Sequence, residues 1–101
     1  MKIACDWDGT IVHRTGIPTN SNPWSDKPKK GAIETLRLLD DFYILTNRPK
    51  EDWPMMKKWL RENGYSKEVL ITNVKQPNTT VYLDDRAIRF TSWNDFRKLY
   101  I

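Results

Sequence analysis

Carboxylates occur in two tight groups, each directly after a short apolar run. Asp6-Trp7-Asp8-Gly9-Thr10 follows Lys2-Ile3-Ala4-Cys5, and Asp84-Asp85 follows Val81-Tyr82-Leu83. A third apolar run, Phe42-Tyr43-Ile44-Leu45, ends in Thr46-Asn47-Arg48. If the runs are strands of an open parallel sheet, their carboxyl ends face one crevice, where such sheets bind ligands. Four carboxylates focused there repel one another and lose solvation, so a cation must sit among them. Few ligands, all oxygen, match Mg²⁺, which keeps several waters and shares its shell with a phosphate. Taken singly, Asp8-Gly9 and Asp84-Asp85 read as ordinary turns; both at strand ends in one short chain favour a site. The single cysteine, Cys5, and single histidine, His13, exclude an intrachain disulfide and a zinc site of the usual ligands.

The elements that must position these groups follow from pattern. Met1–Asp6 reads as a short buried strand. Residues 13–30 carry Pro18, Pro23 and Pro28 with Gly16, Asn20 and Asn22, the composition of a long loop beside the site. Ile33, Leu36 and Leu39 recur at helical spacing and predict a helix from Gly31 to about Asp41. Phe42–Leu45 is continuously apolar, as expected of a strand covered on both faces. Met56, Trp59 and Leu60 mark a second helix over about 51–63, with Pro54 in its first turn and Gly64 closing it. Val69–Ile71 and Val81–Leu83 predict two more strands. Ser92 and Asp95 form a capping box for a last helix that places Trp93, Phe96 and Tyr100 on one face. The alternation points to one α/β domain over 1–101, a three-layer sandwich with a mostly parallel, Rossmann-like sheet in the order 3-2-1-4.

Composition bounds the rest. The chain of 101 residues has room for one compact domain, and its 12% aromatic share is enough to build a core, which argues against disorder. No apolar run approaches the roughly 20 residues that cross a bilayer, and the N-terminus lacks the pattern of a signal peptide, so a soluble cytoplasmic protein without membrane contact is expected. A net charge of +4 suits anionic ligands and is too small by itself to imply a nucleic-acid protein.

The D-W-D-G-T stretch at 6–10 resembles the first motif of the haloacid dehalogenase-like (HAD) phosphohydrolases. I-L-T-N-R at 44–48 is similar to their second motif and V-Y-L-D-D at 81–85 to their acidic fourth. The resemblance implies a Mg²⁺-dependent phosphomonoester hydrolase. Asp6 would be the nucleophile that forms an aspartyl-phosphate, and Asp8 the general acid and then base. Thr46 would donate its hydroxyl to a phosphoryl oxygen, and Asn47 and Arg48 would line the substrate. Asp6, Asp8 through its carbonyl, and Asp84 or Asp85 would hold the metal. The third-motif lysine is assigned to Lys75, with Lys67 and Lys29 as fallbacks and a plain surface lysine as the alternative. The roughly 20 residues between Thr10 and Gly31 leave no room for a cap domain. Capless relatives act on exposed phosphates, so a nucleotide, a nucleic-acid end or a phosphoprotein is implied as substrate. A binding module that keeps fold and metal but acts through a partner is the other reading.

Several residues carry two readings. Arg48 clamps substrate or is tied to Asp52, and Arg86 steadies the acidic pair or touches substrate. Cys5 reads as a small buried strand residue rather than a reactive thiol, His13 as surface or substrate-facing, and Trp7, between the two carboxylates, as packing or as a shield of the site from water. Trp24 either pins the long loop or stacks on a ligand.

Overall fold

The computed structural model describes residues 1–13 and 27–101. Its elements run β1 (Lys2–Cys5), α1 (Ala32–Leu36), β2 (Phe42–Leu45), a 3₁₀ turn (Lys50–Asp52), α2 (Trp53–Glu62), β3 (Ile71–Thr72), β4 (Thr79–Leu83) and α3 (Trp93–Tyr100). The strands form one all-parallel sheet in the order β3-β2-β1-β4. The predicted α/β class and strand order are therefore present. The long loop and Trp24 fall on residues 14–26, outside the described residues. No helix among the described residues is long and apolar enough to cross a membrane.

Alternation along the strands sorts their side chains. Cys5, Ile44 and Ile71 are in register on one face, where they join Ile33 and Leu36 of α1 and Met56, Trp59 and Leu60 of α2 in a single core. Each large aliphatic side chain fully buried there contributes about 1.5–3 kcal/mol. Pro54 sits in the first turn of α2, where its missing N–H is not needed. Gly64, at φ +105°, ends the helix, with the Tyr65 N–H donating to the Leu60 carbonyl (2.8 Å) and the Gly64 N–H to that of Arg61 (3.1 Å). That pair of bonds is the Schellman stop that favours glycine. α1 is shorter than its apolar spacing predicts. Beyond Leu36 the backbone tightens into i to i+3 bonds, Leu38 to Thr35 and Leu39 to Leu36, while Leu39 still reaches the core.

The opposite face departs from the predicted three-layer sandwich. Ala4, Tyr43 and Tyr82 point to it by register, and what crosses it is the irregular segment 73–78. The buried Tyr43 hydroxyl lies 2.7 Å from Thr79 Oγ1 and accepts the Gln76 N–H at 3.1 Å. The predicted capping box forms at α3, where Ser92 Oγ accepts from the Asp95 N–H (3.1 Å). Yet no α3 residue is buried, so this helix does not supply a third layer. Its aromatic face is spent on itself: Trp93 meets Phe96 edge-on and Phe96 stacks on Tyr100.

Candidate active site

The crevice beyond the carboxyl ends of β1, β2 and β4 holds an open cleft of about 280 Å³, lined by Asp6, Asp8, Thr46, Asn47, Asp84 and Arg86 with Ala87. Strand geometry places Asp6, whose N–H donates to the Leu83 carbonyl (3.0 Å), so β1 and β4 end level with each other. Trp7 then turns into the core, fully buried and edge-to-face with Trp59 at 5.2 Å, which sets Asp6 and Asp8 on either side of an anchored indole. The Trp7 carbonyl accepts the N–H groups of Thr10, Ile11 and Val12, closing the turn after β1. Gly9 is required within it. Its φ is +82°, and a Cβ there would collide with the Asp85 carboxylate.

Asp6, Asp84 and Asp85 form the acidic group. One oxygen from each lies within 4.8 Å of the others, a donor set that a hard divalent cation fits. The Asp6 carboxyl is raised above its ordinary value. Burial is the largest cause, the Trp7 N–H bond opposes it, and the charges of Asp84, Asp85 and then Asp8 raise it further. Asp84 also accepts the backbone N–H of Arg86 (2.8 Å), so the steadying role foreseen for Arg86 is performed by its main chain. Neighbouring Cys5 is buried, and burial, with the Asp6 charge second, pushes its thiol up to about 12, as suits an inert strand residue.

Asp8, in the same cleft, is held by Arg48. The guanidinium donates from Nε to Asp8 Oδ2 (3.0 Å) and from Nη2 to Oδ1 (2.7 Å), and its Nη1 lies 3.6 Å from Asp52. Both readings of Arg48 are thus narrowed: it is tied to Asp52, and more closely to Asp8. Trp53 Nε1 donates to the Arg48 carbonyl (3.0 Å) and fixes the backbone from which the fork extends. Thr46 is buried, and its Oγ1 accepts the Arg48 N–H (3.1 Å), which leaves its own O–H to donate into the cleft.

No family model, no curated protein and no solved structure matches this chain. The site is therefore read from its own geometry.

Seven of the eight residues singled out by sequence, Asp6, Asp8, Thr46, Asn47, Arg48, Asp84 and Asp85, stand at or against this cleft. Lys75 does not. Its ammonium lies over the Tyr82 ring, 5.3 Å from the centroid, on the sheet face that segment 73–78 crosses. The fallbacks Lys67 and Lys29 do not line the cleft either; they edge other surface grooves. Among the described residues, the cationic side chain that does line it is Arg86. The sequence pattern assigned Arg86 to the acidic pair, although its place three residues past the strand end, two beyond Asp84, was a signal that it faces the crevice. His13 is exposed, as expected.

Proposed function

We propose that this protein is a phosphomonoester hydrolase that uses Asp6 as nucleophile and requires Mg²⁺. One observation carries the reading: Asp6, Asp8, Thr46 and Asp84, delivered by three different strand ends, line a single open cleft. A trio of carboxylates alone would suit a structural cation. Thr46 and Asp8 have no work at such a site and do have work at a phosphoryl centre.

Asp6, Asp84 and Asp85 would hold the metal, which when bound supplies charge neutralisation for the phosphate and for the attacking carboxylate. The chain's own groups do the rest. Thr46 O–H and the Arg86 guanidinium orient the phosphoryl oxygens. An Asp6 oxygen forms a bond to phosphorus as the bond to the ester oxygen breaks, and a proton from Asp8 goes to that leaving oxygen. Asp8 then takes a proton from water as the water oxygen attacks the aspartyl-phosphate, releasing phosphate and restoring Asp6. Arg48 holds both Asp8 oxygens in the resting site, so the incoming phosphate must draw the fork away before Asp8 can carry a proton.

That same fork, with Lys75 outside the cleft, favours a second reading: a weakly catalytic module that binds phosphate groups and acts through a partner. Hydrolysis of p-nitrophenyl phosphate with Mg²⁺ separates the two. The enzyme reading expects turnover that falls on the order of 10⁴-fold or more in Asp6→Asn. Absence of turnover in the wild type, with orthovanadate still bound, would leave only the module.

A further inference from the structure

The stretch that follows the acidic pair carries an exposed aromatic and basic surface of which the cleft uses only Arg86 and Ala87. Phe90 is 64%, Trp93 70% and Tyr100 56% exposed. Phe90 and Trp93 brace each other edge-to-face at 5.5 Å, and with Ile88, Arg89, Phe96 and Leu99 they wall a groove of about 310 Å³, within the size range of small-ligand sites. Arg86 and Arg89 precede the rings and Arg97 and Lys98 fall between Phe96 and Tyr100, against one carboxylate, Asp95; Arg89 and Asp95 line the groove itself, and Arg86 lies at its junction with the cleft. Three of the chain's net +4 charges thus fall in residues 86–101. None of the four cations is in an ion pair among the described residues. Apolar rings without a core to bury them mark an interaction surface.

The charge selects the occupant. A second copy paired through residues 86–101 would set one segment of net +3 against another. α3 has eight residues, against the roughly 20–30 of many interfacial helices. Rings interleaved with unpaired cations are the means by which proteins hold single-stranded nucleic acid, with bases stacked on the rings and phosphates on the cations. The groove also adjoins the cleft along the chain: Ala87 lines the one and Ile88 the other. We propose that residues 86–101 bind a single-stranded polynucleotide and present its terminal phosphate to the Asp6 cleft. The delivery of the phosphate rests on the hydrolase reading, whereas the binding does not.

Fluorescence anisotropy with a labelled single strand of about 12 nucleotides tests it. Saturable binding is expected, with a log–log salt slope of about −2 to −3 for three or four phosphates. Trp93→Leu, which keeps bulk but removes the ring, should weaken binding about 10- to 100-fold, while Trp93→Phe stays within a few-fold. Arg97→Glu with Lys98→Glu should weaken binding and flatten the slope by about 1.4. Circular dichroism checks that each variant is folded. No binding at low salt would overturn the proposal, as would equal losses in Trp93→Leu and Trp93→Phe. So would binding to phosphatidylserine vesicles tighter than to the oligonucleotide, or a sedimenting dimer that Trp93→Leu dissolves while no oligonucleotide binds. The two readings fail separately. Hydrolysis of p-nitrophenyl phosphate without oligonucleotide binding sinks this proposal alone, and binding by wild type and Asp6→Asn without hydrolysis sinks the enzyme reading alone.

Discussion

Asp6 sits where burial and three neighbouring carboxylates all disfavour its charge. A carboxyl raised in the folded state binds its proton more tightly there than in the unfolded chain, so its contribution to stability is fully present below the ordinary aspartate range. It is lost as pH rises through the raised folded value. With chelator present, Asp6→Asn is therefore expected to melt at a higher temperature than wild type at pH 7. The two curves should converge as pH falls through the carboxylate range, and added Mg²⁺ should raise the wild type's melting temperature more than the variant's. Thermal melts across pH check this; a variant less stable than wild type at pH 7 without metal would contradict it. The carboxylates were legible in sequence because each directly follows a strand, and strand polarity decides which end faces the crevice. Lys75 was not, since its distance from Asp84 along the chain says nothing about which sheet face segment 73–78 crosses. The Arg48 fork on Asp8 was equally out of reach, being a contact made across 40 residues.

At the scale of elements, three strand-to-strand connections do different work. The first two return through α1 and α2, which share one face and one core. The third passes from β3 to β4 with no helix, and its hold on the sheet runs through the Tyr43 hydroxyl, with Thr79 Oγ1 in turn 2.7 Å from the Gln76 carbonyl. Tyr43→Phe leaves the Gln76 N–H without its acceptor and is expected to cost about 1–3 kcal/mol, read as a shift in the urea midpoint at unchanged slope. A loss below about 0.5 kcal/mol would mean that the segment is held by other means. The strand order was readable because helical and apolar runs alternate. That α3 supplies no third layer among the described residues was not readable: the pattern of Trp93, Phe96 and Tyr100 says that a helix has an apolar face, and is silent on whether anything meets it. Similarly, the apolar spacing that runs on to Leu39 marks burial, which a tightened turn satisfies as well as a helix does.

For the molecule as a whole, β1 is one of the sheet's two interior strands and the first of the four in chain order. β1 pairs with β2 some 40 residues later and with β4 some 80 residues later. α3, in contrast, adds no buried residue. A chain ending at Thr91 is therefore expected to keep a cooperative thermal transition close to that of the full chain, and one ending at Asn78 to lose it. Differential scanning calorimetry reads both, and a cooperative transition in the shorter chain would refute the claim. The order of events during synthesis follows from this placement. Pairings between distant segments are slow to form, and β1 must wait for β4, some 80 residues later, before both its edges are covered. Through that interval Ile3, Ala4 and Cys5 present an unpaired apolar edge. The interior place of β1 thus makes this a sheet that closes only once β4 has been made.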